Sequence, residues 1–384
     1  MIDPNLGFYT CNGQNFVSKI DALLHSKVTG KPVDWIFHDE EFSRYPWHIE
    51  PEAGLDDLYD ARARQLSEKY DYVILSFSGG SDSNNILESF IRQGLHIDEI
   101  VTNHFTSATT ATTVLNPSIR ASWNFAAEHQ LQAVPRLRYI RDNLPKTVIT
   151  ELDVSSIVLD SMRTAFDDVD WVLSRNDHLS VGQLFRYNYF HFSEMRKKLD
   201  KNRNTVVIVG IDKPRCYIDQ ESNFYTTFID GIANMTTIND FNNEYTNVRT
   251  ELFYWSKDAM PIACKQAHVI KRWLEANPKS QSAWKGLNIS RSRLIQERLM
   301  RSLLYSNWDN NWFQANKSTS FWQTEFDTWF HNRTDLAREQ ELWRKGVEYM
   351  CSMLGDQIMY KDGLPSGLKQ FIKPYLIGQI KTVV

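Results

Sequence analysis

The chain has 384 residues, 42% hydrophobic and 23% charged, the balance of an ordinary globular protein with room for two or three domains. Its net charge of −4 offers nucleic acid or an anionic membrane no global attraction. Cys11, Cys216, Cys264 and Cys351 lie far apart with no C-x-x-C pair, which argues against a zinc site or a disulfide framework and for a reducing, cytoplasmic setting.

The opening Met-Ile-Asp-Pro-Asn-Leu has no basic stretch before an apolar core, so no signal peptide is expected, and no apolar run is long enough to span a bilayer. A helix is predicted from Asn15 to Leu24, with Gly30 and Pro32 ending the element. Between Asp34 and Asp60 the acidic residues Asp34, Asp39, Glu40, Glu41, Glu50, Glu52, Asp56, Asp57 and Asp60 face only Arg44, with Trp35, Phe37, Phe42, Tyr45 and Trp47 threaded among them. The segment reads as a solvated surface whose aromatics cover the next domain; a docking surface for a basic partner is the alternative. A helix from Leu55 to Lys69 leads into the centre of the chain.

From Tyr72 to Phe77 an apolar run predicts a buried strand. It stops at Ser78-Gly79-Gly80-Ser81-Asp82-Ser83, after which Ile86, Leu87, Phe90 and Ile91 share one helical face and Gly94 ends the helix. A small-residue turn at a helix N-terminus presents unpaired backbone N–H groups, a place suited to an anion and above all to phosphate. Further strands are predicted at Ile97 to Phe105, Leu137 to Ile140, Thr147 to Leu152 and Thr205 to Gly210, with helices from Asn116 to Glu128, Val154 to Ala165 and Asp177 to Leu199. Strands that alternate with helices and run as continuous apolar stretches imply a parallel sheet covered on both faces. Eight of the twelve tryptophans follow residue 250, among helices predicted at Pro261 to Ala276, Arg291 to Leu304, Phe321 to Phe330 and Asp335 to Leu354. The predicted organisation is an acidic and aromatic segment (1–69), an α/β domain (70–235) and a helical, tryptophan-rich domain (236–384).

The loop lacks the lysine of a Walker A motif, the three spaced glycines of a dinucleotide fingerprint and the Gly-x-Ser-x-Gly of a nucleophile elbow. Ser78-Gly79-Gly80-Ser81-Asp82-Ser83 does resemble the pyrophosphate loop of the N-type ATP pyrophosphatases, the adenine nucleotide alpha-hydrolase superfamily, and is closest in type to the synthetase domain of asparagine synthetase. The resemblance implies a doubly wound, mostly parallel α/β sheet of HUP type. It also implies ATP as cosubstrate, with Ser78 to Ser83 around the pyrophosphate and Asp82 acting through Mg²⁺. Adenine is then expected near the end of the second strand, around Val101 to Phe105.

A second turn, Gly210-Ile211-Asp212-Lys213-Pro214-Arg215, follows a strong strand and should emerge on the same edge of the sheet. Asp212 is a magnesium candidate there, while Lys213 and Arg215 are candidates for stabilising pyrophosphate charge; solvated loop charges are the bland reading. The Gly-Asp/Glu-Gly pattern of asparagine synthetase is not reproduced at this turn. Lys265, His268 and Lys271 or Arg272 share a helical face that is either an anion contact or merely solvated. Lys285, Arg291, Arg293, Arg298 and Arg301, with Trp284, form the one basic segment and offer an RNA contact or a solvated helix.

Scattered cysteines disfavour sulfur transfer, and Ile2 in place of a terminal cysteine means that no built-in glutaminase is expected. The expected activity is an AMP-forming ligase that adenylates a carboxylate, carbonyl or amide oxygen for ammonia or an amine, with any ammonia donor a separate partner. A tRNA- or nucleobase-modifying enzyme of the same superfamily and a non-catalytic nucleotide-binding module are the alternatives.

Overall fold

The computed structural model describes residues 5–104, 129–153, 202–230, 247–286, 293–309, 312, 330–361 and 364–381. A three-stranded antiparallel sheet opens the chain: β1 (Phe8–Cys11), β2 (Gln14–Phe16) and β3 (Val33–Ile36), in the order β2-β1-β3. Asn12 and Gly13 join β1 to β2 at φ 51° and 78°, the left-handed pair that a two-residue hairpin needs. The helix expected from residue 15 is α1 (Lys19–Thr29), begun where Ser18 Oγ accepts the Asp21 N–H and ended by Gly30 at φ 66°. Then follow α2 (Asp39–Arg44) and α3 (Leu55–Lys69), the latter with its predicted bounds.

The centre is a five-stranded parallel sheet of β4 (Tyr72–Ser76), β5 (Glu99–His104), β6 (Val148–Asp153), β7 (Thr205–Val209) and a later strand, β10 (Val248–Leu252). Its order is β10-β7-β4-β5-β6 and every pairing is parallel, so the α/β class holds. After β4 the chain winds outward one way through β5 and β6, then returns to lay β7 and β10 on the other side of β4. The order therefore reverses between β4 and β7. Alternate residues divide the core: Val73, Leu75, Ile100, Val206 and Ile208 join the main cluster, whereas Ile74, Val101, Val207 and Val248 form a second one.

Between β4 and β5 lies α4 (Ser81–Arg92), which packs on α3. A π-helical turn, His129–Ala133, runs into α5 (Val134–Asn143). The strand predicted at Leu137 to Ile140 is thus a correction: both residues are buried at i and i+3 of α5, which Pro135 starts. The helices expected at 116–128, 154–165 and 177–199 lie outside the described residues, as does nearly all of 321–330.

The boundary expected at 235 falls before the sheet's fifth strand, β10, and the region beyond it is not helical throughout. A second antiparallel sheet contains β8 (Arg215–Ile218) and β9 (Asn223–Ile229). Helices α6 (Met260–Ala276), α7 (Arg293–Leu304) and α8 (Ala337–Leu354) are followed by a hairpin, β11 (Ile358–Lys361) and β12 (Leu364–Leu368), and by β13 (Ile372–Gln379). That last strand pairs with β9, giving the order β13-β9-β8. Among the described residues no helix is long and apolar enough to cross a membrane.

The aromatic and acidic segment docks onto this later part of the chain. Trp35, Phe37, Phe42 and Trp47 are buried, and Phe42 and Trp47 both meet Phe228 and Tyr375. Its carboxylates find cations of the same chain: Asp39 meets Lys373 at 2.6 Å, Glu50 meets Lys265 at 2.8 Å and also Arg272, and Asp60 meets Arg92 at 2.6 Å.

Candidate functional site

The loop begins where β4 ends. Gly79 stands at φ 74°, and a Cβ there would lie 2.7 Å from the Ala133 Cα, so only glycine lets the turn approach the π-helical segment. Gln132 Nε2 and Asn84 Nδ2 both donate to the Gly79 carbonyl, the former at 2.9 Å, and Asn84 also reaches the Gly80 carbonyl at 3.0 Å. Arg136 fixes Asn84 through its Oδ1 at 2.8 Å. The carbonyls of the turn are thus pinned from outside, and the first-turn N–H groups of Ser81, Asp82 and Ser83 are left without acceptors inside α4. Ser78 Oγ accepts the Gly80 N–H at 3.2 Å, and Ser83 Oγ donates to the Gly80 carbonyl at 3.2 Å.

The second turn meets the first. A Cβ on Gly210 would crowd Ser83 N at 3.2 Å, so this glycine lets the turn that follows β7 approach the start of α4, which follows β4. Beyond it, Lys213 Nζ donates to Asp82 Oδ1 at 2.9 Å and Oδ2 at 2.6 Å, with Glu297 at 3.5 Å and Asp212 at 3.7 Å. Arg215, Asp212, Lys213 and Glu297 border a cavity of about 20 Å³, room for one water. The turns named from sequence therefore share one edge.

Burial alone would lower Lys213, but Asp82, Glu297 and Asp212 hold it above the usual lysine range. Burial raises Asp212, with Asp82 and Glu297 acting in the same sense against Lys213. Two oxygens suited to a hard cation, on Asp82 and Asp212, flank one point, and Lys213 Nζ stands at it. The set fits Mg²⁺ once Lys213 is displaced. Among the described residues, no three His, Cys, Asp or Glu side chains are grouped to hold a metal ion by themselves.

Val101 is fully buried in the sheet and its carbonyl accepts the Phe77 N–H at 2.8 Å, so its side chain does not face the crevice. Phe105 lies outside the described residues. At the end of β5 the rings of His104 and His129 lie 4.2 Å apart, each 3.8 Å from a carboxylate, Asp153 and Glu151 respectively, and burial lowers the pKa of His104.

Several contributors escaped the sequence. Tyr305 OH donates to Asp82 Oδ1 at 2.5 Å, and Tyr254 OH, itself held by Asn85, donates to the Asp82 carbonyl at 3.0 Å. Conversely, Lys265, His268 and Arg272 are not at the site: they meet Pro51, Trp47 and Glu50. Trp284 is 1% exposed and belongs to the core, so it offers no face to RNA.

No family model matches this chain, and no curated protein sequence matches it either.

Proposed function

We propose that the chain is an AMP- and pyrophosphate-forming ligase that uses ATP to adenylate a carboxylate or carbonyl or amide oxygen for attack by ammonia or an amine. The observation that carries this reading is the meeting of the Ser78–Ser83 and Gly210–Arg215 turns where the strand order reverses between β4 and β7. In open α/β sheets ligands bind in that crevice, at the carboxyl ends of the strands. A strand order that winds three strands one way and two the other supports the HUP-type assignment, and with it the pyrophosphate-loop resemblance.

Each residue's task follows from its chemistry. The N–H groups of Ser81 to Ser83, with the Ser78 hydroxyl, bind an anion at the start of α4 without a fixed cation. Lys213 and Arg215 neutralise charge as it develops on the leaving pyrophosphate. When bound, Mg²⁺ would neutralise the polyphosphate, and Asp82 and Asp212 are the side chains that would hold it. The cysteines support nitrogen rather than sulfur chemistry: Cys216 and Cys264 are buried, and burial pushes the Cys264 thiol up to about 12, away from the reactive thiolate.

The test is AMP and pyrophosphate formation from ATP and Mg²⁺ across a panel of carboxylates with ammonium or amines. Turnover is expected with a matched pair. Asp82→Ala should lower it by about 10²–10³-fold, the scale for removing one electrostatic partner of a transition state. Undiminished turnover in Asp82→Ala would sink the assignment.

A further inference from the structure

The loop's cation and its carboxylate are engaged with each other. An ammonium has three N–H donors. Two of those on Lys213 go to the two oxygens of Asp82, and Glu297 and Asp212 lie 3.5 and 3.7 Å from the same nitrogen. Only 3% of the Lys213 side chain is exposed. Asp82 Oδ1 also receives Tyr305, whose ring lies 5.8 Å from Lys213 Nζ. In this arrangement Lys213 gives two of its three hydrogens to Asp82, its charge is held among carboxylates, and both oxygens of Asp82 are occupied.

The two groups that hold this pair from outside the sheet come from one stretch of chain. Glu297 lies on α7, with Arg301 3.8 Å from it, and Tyr305 immediately follows that helix. We infer that Tyr305 and Glu297 are positioning residues: they keep Lys213 on Asp82 and so set how readily the loop accepts a polyphosphate anion. Binding then requires an exchange of partners, Lys213 leaving Asp82 for the anion and Asp82 becoming open to a cation. The inference rests on the proposed reading of the loop as a pyrophosphate site.

Calorimetric titration of the full chain with inorganic pyrophosphate, in EDTA and separately in Mg²⁺, tests it. Tyr305→Phe keeps the ring and removes the hydroxyl; Glu297→Gln keeps the shape and removes the charge. Each should tighten metal-free binding by about 3- to 10-fold, the size of one hydrogen bond or ion contact released. Asp82→Asn should tighten metal-free binding too, and abolish any gain from Mg²⁺. Circular dichroism melts establish that each variant is folded. If wild type binds and the folded Tyr305 and Glu297 variants bind equally or more weakly, the positioning role is overturned while the loop reading stands. If neither wild type nor any variant binds pyrophosphate, the loop reading fails and takes the inference with it.

Discussion

Two buried ion clusters in this protein are built with opposite surpluses. On β10, Glu251 is 2% exposed and is ringed by donors: Arg62 at 2.9 Å, Lys69 at 2.7 Å and Tyr70 OH at 2.7 Å. At the crevice, Lys213 is ringed instead by Asp82, Asp212 and Glu297. The first cluster ties α3 to an edge strand of the sheet, and both oxygens of its carboxylate are met by donors of the protein. The second sits where the strand order reverses and holds more carboxylate than its lysine can neutralise. One arrangement locks two elements together. The other gathers three carboxylates around one lysine where two turns meet.

The largest expected effect comes from breaking the lock. Glu251→Gln leaves Arg62 buried without its counter-charge and should cost about 3–5 kcal/mol in urea unfolding. A loss under about 1 kcal/mol would mean that the two clusters do not differ as described.

The next is a difference in sign with pH. Burial alone would raise Glu251, but Arg62, Lys69 and Tyr70 bring it below its ordinary 4.5. Its contribution to stability is therefore present above 4.5 and lost as the pH falls through the folded value. Asp212 is raised above its ordinary 3.8, so the folded state binds its proton more tightly than the unfolded chain does. Its ionisation then opposes folding at neutral pH, and the penalty is relieved on acidification towards 3.8. Asp212→Asn should accordingly raise the melting temperature at pH 7, with the gain shrinking towards pH 4, whereas Glu251→Gln should flatten the acid loss. Parallel melting curves across that range for both variants would remove the contrast.

The smallest effect belongs to neither cluster. Arg272 is 53% exposed where it meets Glu50, so Arg272→Ala should cost less than about 1 kcal/mol, and 0.5 M salt should erase the difference from wild type. A larger, salt-resistant loss would promote this surface pair to the rank of the buried ones.

The stretch from Tyr72 to Arg92 was legible in the sequence because all its signals are local: an apolar run, a turn of small residues and a helical stripe. The hairpin at Asn12-Gly13 carries an equally local signal in its Asn-Gly pair. β10 was harder. Arg249 and Glu251 break its apolar pattern, and the charge of Glu251 makes sense only beside Arg62, far back in the chain. Leu137 and Ile140 fit a helix or a strand when taken alone, and the arrival of Pro135 at a helix start decides between them. Tyr305 and Glu297 at the site had no sequence signal, because what defines them is contact with Asp82 and Lys213 across the fold. The acidic segment reads in sequence as a solvated surface, because the cations that meet its carboxylates lie far along the chain. Lys265, Arg272 and Lys373 are among these cations.

The pairing of β13 with β9 has a consequence for how the protein is made. Arg215 at the crevice is the first residue of β8, β8 leans on β9, and β9 has its second neighbour only when residues 372–379 have left the ribosome. Asp230, at the end of β9, is meanwhile held by Lys19 at 2.7 Å and by Tyr9 at 2.9 Å, and it accepts the Phe371 N–H at 3.0 Å. The first and last strands of the described chain therefore converge on the shoulder of the site. Such pairings between distant segments form slowly. The parallel sheet can begin to assemble during synthesis, but the shoulder carrying Arg215 is completed only once residues 372–379 have been made.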